Sequence, residues 1–291
     1  MNLNPTLRPN RWPSVLALVV AALATAPLQA GFTTFESAGA APGDITPTRD
    51  AFRTAVGGGS VAGANGSFGG LRREINWDGV PNALADSNPL PANFFNLNSP
   101  RGAVFSTPGT GFLVSANAGG PTAPLFGFAL DFQTFSAQRL FTAVNSPITD
   151  VSFFVPGTAI PTTTTAFGLV FTDVEIADLT KIEFFDLSNT LIYTRNALVA
   201  GNQGLSFVGA VANAGETIGR VRITAGLNTI VANGTLGNPN DEAVVMDDFL
   251  YAEPSAVPEP SGFWLAGGFL LGATLAGRSR SRNRALPERC S

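Results

Sequence analysis

A chain of 291 residues with no histidine and a single cysteine excludes several chemistries at once: Ser-His-Asp and Cys-His hydrolysis, His-ligated zinc or copper, and haem on a proximal histidine. Charged residues are only 13% of the chain, while Phe supplies 23 positions, Gly 32 and Pro 21. That balance favours turn-rich β-structure over helix, and the aromatic content argues against disorder. The formal charge of −4 conceals an uneven spread: residues Gly31 to Val257 hold ten Lys plus Arg against nineteen Asp plus Glu, whereas both ends are basic. An acidic body of this kind repels nucleic acid, so no nucleic-acid partner is expected.

At the front, Arg8 and Arg11 precede the apolar run Val15 to Ala24, and small residues follow at Ala26, Ala30 and Gly31. This is the three-part pattern of a secretory signal peptide occupying residues 1–30, with cleavage between Ala30 and Gly31. Cleavage after Ala26 is the alternative, although it leaves Pro27 beside the scissile bond. Ten apolar residues fall short of the roughly 20 needed to cross a bilayer, which disfavours a permanent N-terminal anchor.

The body, residues 31–253, opens with a stretch rich in Gly, Ala, Asn and Pro. One short helix is predicted there from Pro47 to Val56, with Thr46 as its cap, Pro47 at the first helical position and Gly57 as its stop. Gly57 to Gly70, with seven glycines, reads as a loop and lacks the context of a phosphate-binding motif. From Phe126 onward short apolar runs alternate with turns. The expected strands are Phe126 to Phe132, Thr149 to Val155, Ala166 to Phe171, Lys181 to Asp186, Thr190 to Thr194, Gly204 to Val211, Glu216 to Ala225 and Val244 to Tyr251. The pair Ile182 to Asp186 and Thr190 to Tyr193 reads as a hairpin. No repeat of solenoid or propeller period is present. The expected fold is therefore all-β, a two-sheet sandwich with jelly-roll-like order and a short N-terminal helix.

Candidate chemistry in the body rests on carboxylates. Lys181, the sole lysine, lacks an S-x-x-K context and reads as an edge-strand charge. Glycoside hydrolysis needs two carboxyl groups roughly 5 to 10 Å apart, and the pairs to consider are Glu74 with Asp78 and Asp247 with Asp248. Strict alternation places Asp247 and Asp248 on opposite faces of their strand, which disqualifies them as a dyad. For a hard cation, Asn238, Asn240, Asp241 and Glu242 form one oxygen-rich segment and Asp173, Glu175 and Asp178 another; calcium is the ion such loops suit. No EF-hand pattern is present, and the competing reading is ordinary turn chemistry. Trp77, followed by Asp78, has two readings, a sugar-stacking platform or a core residue, and the usual burial of Trp favours the core. Arg72 and Arg73 are expected to pair with Glu74 and Asp78.

Behind the body, residues 254–291 divide into three parts. The motif at 257–262 contains Val257, Pro258, Glu259, Pro260 and Ser261, and its prolines hold the segment extended. Residues 261–277 are uncharged and are expected to form a single C-terminal transmembrane helix at the lower limit of length. The tail, residues 278–291, brings Arg278, Arg280, Arg282 and Arg284 to the cytoplasmic side. Glycines at 262, 267, 268 and 272 make a buried soluble helix the poorer reading. Cys290, one residue from the end, lacks the three following residues that prenylation needs.

The VPEPS motif, Trp264, the short span and the basic end resemble a PEP-CTERM sorting signal, carried by exported proteins of Gram-negative bacteria that make exopolysaccharide. The resemblance implies secretion, recognition at Pro258-Glu259-Pro260 by a membrane-embedded exosortase, cleavage near that motif and release to the envelope or the outside. Within the body, Arg72 to Pro81, Asn93 to Gly111 and Phe153 to Thr158 resemble a group of secreted bacterial proteins of unknown activity. The resemblance brings no catalytic residue. Together these readings imply a non-catalytic surface or extracellular-matrix protein associated with exopolysaccharide, with a carboxylate-based carbohydrate-active enzyme or carbohydrate-binding module as the alternative.

Overall fold

The computed structural model describes residues 31–120, 122–231 and 242–255. The expected signal segment 1–30, the positions Asn238, Asn240 and Asp241, and the expected sorting segment from residue 256 onward lie outside the described residues. So does the expected membrane span at 261–277; among the described residues no helix is long and apolar enough to cross a membrane.

Among the described residues twelve strands form two antiparallel sheets packed as a sandwich. In chain order they are β1 (Phe32–Gly39), β2 (Arg72–Ile75), β3 (Ala103–Ser106), β4 (Gly111–Val114), β5 (Phe141–Val144), β6 (Ile148–Phe153), β7 (Ala166–Thr172), β8 (Lys181–Phe185), β9 (Leu191–Asn196), β10 (Leu205–Ala212), β11 (Arg220–Thr224) and β12 (Val245–Ala252). One sheet runs β1-β10-β7-β12-β5-β4, with β2 also paired to β12, and the other runs β3-β6-β11-β8-β9. The strands predicted from residue 149 onward all form, within a few residues of the expected bounds, and β8 with β9 makes the expected hairpin.

Four expectations change. The helix α1 spans Pro42–Val56, not Pro47–Val56. Pro42 takes its first turn and the Asp44 carboxylate accepts the Ala41 amide at 2.9 Å. Thr46 is therefore no cap, and its hydroxyl instead donates to the Pro42 carbonyl at 2.7 Å. Phe126 to Phe132 is not a strand: a 3-10 turn at Leu125–Gly127, with Leu125 and Phe126 both at positive φ, folds it over the sheet. Lys181 is not on an edge, because β9 covers β8, and it pairs with Glu183 at 3.1 Å. Strands β1 to β5 arise from sequence that displays no expected strand; all but β1 are four residues long, too short to show a period.

The seven-stranded sheet is covered on both faces, which is why β7 and β12 are buried at every position. Between the sheets lies one aromatic-rich core, including Trp77, Phe105, Phe141, Phe153, Phe167, Phe184, Phe249 and Tyr251. On the outer face α1 seats Ile45 and Phe52 against Val170, Leu205, Phe207 and Leu250. Phe52 fits because Gly168 and Gly209 face each other across β7 and β10; a Cβ on Gly209 would come within 3.1 Å of the Phe52 ring. Burying such a ring contributes about 1.5–3 kcal/mol. Further along the same face, Phe126 and Phe132 cover Leu113, Leu140 and Val245.

β12 is the strand on which this arrangement turns. Its Met246 pairs with Phe141 of β5, whereas Phe249 to Ala252 pair with β2. On its other side the register with β7 shifts between Met246 and Phe249, so Asp247 and Asp248 together oppose a single residue, Val170. Trp77 closes the fork between β2 and β5. It holds φ at +66°, stacks on Phe141 at 4.0 Å and 1°, meets Phe249 edge-on at 5.0 Å, and donates its indole N–H to the Asp247 carbonyl at 3.1 Å. At 1% exposure Trp77 is a core residue, which rules out the sugar-platform alternative.

Trp77→Ala is expected to lower stability by about 3–5 kcal/mol through the cavity it leaves. Trp77→Phe, which keeps much of the apolar contact but orphans the Asp247 carbonyl, is expected to cost about 1–3 kcal/mol. Urea denaturation midpoints of the two variants test the difference.

Candidate functional site

A polar cleft of about 410 Å³ opens where α1, the loop before β2, β2 itself and the bulge of β12 meet. Its walls carry Arg49 and Arg53 from α1, Glu74 and Asn76 from β2 and its end, and Arg101 from the segment before β3. Ser136 and Asp248 also line it, with Phe68 and Phe135 as its aromatic members. These positions span some 200 residues of sequence, so no local pattern announces them.

The α-helical period puts Arg49 and Arg53 one turn apart on one side of α1. Their guanidinium groups do different work. Arg53 engages all three of its nitrogens, donating to both oxygens of Glu74 at 2.7 and 2.6 Å and to Asp50 at 3.2 Å. Burial opposes its charge, but the hydrogen bonds and charge of Glu74 outweigh that and raise its pKa. Arg49 lies over the Phe135 ring at 4.7 Å, donates from Nε to Asp50 at 2.8 Å and brings Nη1 to 3.6 Å from Asp248. Arg101 donates from Nε to the Glu74 carbonyl at 2.8 Å and from Nη1 to Ser99. No carboxylate pairs with Arg101 among the described residues. Burial, with Arg73 nearby, lowers its pKa.

Glu74 is held on every side. Its Oε1 accepts from Nε of both Arg53 and Arg72, each at 2.7 Å, and its Oε2 accepts from Arg53. Arg72 pairs with Glu74 as expected, but Arg73 turns to Glu253 at 2.6 Å instead of Asp78. Asp78 accepts from the Arg139 amide at 3.2 Å. Burial pushes Asp78 up to about 6, aided by the charge of Asp248 and opposed by that hydrogen bond. Glu74 thus shares its cleft with Asp248, not with Asp78.

The bulge also overturns strict alternation at Asp247 and Asp248. The Asp247 carboxylate is buried, accepting from the amides of Phe135 at 2.6 Å and Ser136 at 3.2 Å and from the Ser136 hydroxyl at 3.0 Å. Burial first, then the charge of Asp248, raises its pKa well above the ordinary value. Asp248 lines the cleft, yet its Oδ1 is buried without a hydrogen-bond partner. Burial raises its pKa as well, opposed by Ser136, Arg49 and Arg53. The two carboxyl groups therefore sense each other, which a flat strand would prevent.

The acidic loop expected to suit calcium is arranged otherwise. The Glu242 Oε1 accepts the backbone amides of Glu175 and Ile176, at 2.5 and 2.7 Å. Asp178 accepts from Asn196 at 2.6 Å and Asp173 from the Gln203 amide at 2.9 Å. Among the described residues no group of three acidic, His or Cys side chains converges to hold a metal ion, and the carboxylates of Asp173, Asp178 and Glu242 tie neighbouring segments together through these hydrogen bonds. Burial raises Asp173 to about 7, helped by the charges of Glu175, Asp131 and Glu242.

In comparisons with known proteins, no family model, no curated protein and no solved structure matches this chain.

Because Asp173 is raised to about 7 and Asp78 to about 6, the folded protein retains protons that the unfolded chain has already released. Their contribution is greatest below the ordinary carboxylate pKa, about 4, and is lost as pH rises through about 7. Asp173→Asn is expected to flatten that part of the profile, measured as urea midpoints from acid to neutral pH. A slope unchanged by the substitution would contradict the assignment.

Proposed function

We propose that this chain is an exported surface or extracellular-matrix protein that works by binding, in association with exopolysaccharide, and not by catalysis. The observation that carries this reading is the clamp on Glu74. A glycosidase needs a second carboxylate free to act as base or nucleophile opposite its acid. Glu74, which shares the cleft with Asp248, has three guanidinium hydrogen bonds on its two oxygens. Attack through either oxygen would have to break an ion pair already in place.

The order β10-β7-β12-β5 opposite β6-β11-β8-β9 supports a jelly-roll reading of the sandwich, since consecutive strands from β5 to β8 alternate between sheets. Delivery follows from the termini. Residues 1–30 direct export, the body 31–253 is the working part, and Val257 to Ser261 is the motif an exosortase reads while residues 261–277 hold the precursor in the inner membrane. The resemblance of the body to secreted bacterial proteins agrees with that route. Mass spectrometry of the exported form is expected to show loss of everything up to about Ala30 and of everything beyond the VPEP motif. Retention of Arg278 to Arg284 in secreted material would overturn the C-terminal part.

One observation favours the enzymatic alternative. Asp248 reaches the cleft with its pKa raised by burial, as a general acid requires. Release of reducing ends from polysaccharide by the purified protein, abolished in Asp248→Asn, would replace the binding reading with that one.

A further inference from the structure

We infer that the cleft between α1, β2 and the β12 bulge is a binding site for a uronic acid unit of an anionic polysaccharide, with Arg49 and Arg101 receiving the sugar carboxylate. The inference rests on the binding reading of this same cleft and names its ligand class.

The body is acidic, ten basic side chains against nineteen acidic ones between Gly31 and Val257, yet three of those ten basic groups line one cleft beside only two carboxyl groups. Arg53 is consumed by Glu74 and Asp50. Arg49 and Arg101 are not: among the described residues neither guanidinium donates from Nη2, and Arg101 has no carboxylate partner. A guanidinium presents several donors in a planar fork that matches a carboxylate, and one held partly out of water gains more from an anion than one in bulk solvent. The stacking of Arg49 on Phe135 and of Arg101 on Phe95, at 4.7 and 5.1 Å, fixes both groups without using their outer N–H donors.

The remaining wall decides between anions. Glu74 and Asp248 offset only part of the charge of the three guanidinium groups, so the cleft is positive overall and attracts an anion. Ser136, Asn76 and the Asp248 carboxyl offer hydroxyl, amide and acid groups of the kind that pair with sugar hydroxyls. A volume of about 410 Å³ is of the size that holds a small ligand.

Calorimetric titration of the full-length chain with galacturonate and glucuronate oligosaccharides tests this against neutral glucan oligosaccharides and inorganic phosphate. Uronate oligosaccharides are expected to bind at least tenfold more tightly than neutral ones, with affinity falling as salt rises. Arg49→Gln and Arg101→Gln are each expected to weaken uronate binding at least tenfold. Arg49→Gln loses its hydrogen bond to Asp50, its approach to Asp248 and its stacking on Phe135, so melting temperatures are measured alongside, and whichever of the two variants stays folded at the titration temperature tests the inference. No uronate binding, equal binding of neutral oligosaccharides, equal affinity for phosphate, or full affinity in Arg49→Gln would each overturn the inference. Reducing ends measured in the same samples separate the two levels: cleavage would overturn the binding reading, whereas absence of both cleavage and uronate binding would overturn the uronate assignment alone.

Discussion

An extra residue in a fully buried central strand must be accommodated without leaving its backbone unpaired, and β12 meets that constraint with Trp77. Where Asp247 and Asp248 together oppose Val170, the ladder to β7 is interrupted and the opposite edge is divided between β5 and β2. The freed Asp247 carbonyl takes the Trp77 indole N–H, and the Asp247 carboxylate takes the amides of Phe135 and Ser136. Both halves of one residue thus satisfy groups that the irregularity exposes. The left-handed backbone at Trp77 costs on the order of 1–3 kcal/mol. Contacts with Phe95, Phe105, Phe141 and Phe249 offset it.

That same irregularity creates the cleft. A flat strand would send one of the two aspartates to each face; the bulge instead brings Asp248 to the mouth beside α1 while Asp247 stays beneath it. α1 can approach because Gly168 and Gly209 leave room for Phe52, and its docking carries Arg49 and Arg53 to the rim. Packing on the outer face of the sheet and electrostatics in the cleft are therefore one arrangement.

A protein without histidine leaves most of its polar architecture to carboxylates and arginines. Here carboxylates serve chiefly as acceptors for backbone and guanidinium donors: Asp247 ties down Phe135 and Ser136, Glu242 ties down Glu175 and Ile176, and Glu74 gathers Arg53 and Arg72. Each of these carboxylates is fixed in place by the donors it accepts, and Glu74 most of all, with three guanidinium hydrogen bonds on its two oxygens.

Local pattern alone specified the later strands, because each is a short apolar run with turn residues on either side; Leu205 to Ala212 and the hairpin joining β8 to β9 are examples. It also specified that the body is acidic and that chemistry needing histidine is excluded. Short strands such as Arg72–Ile75 and Ala103–Ser106 were not legible, since four residues among Gly, Pro and Asn carry no measurable period. Phe126 to Phe132 misled for the opposite reason: its apolar residues do bury, but against the outer face of a sheet, from a turn. The cleft was decided by tertiary structure alone. Arg49, Glu74, Arg101, Ser136 and Asp248 meet only after α1 docks and β12 bulges, and both events depend on contacts between residues far apart in the chain, which no local period records.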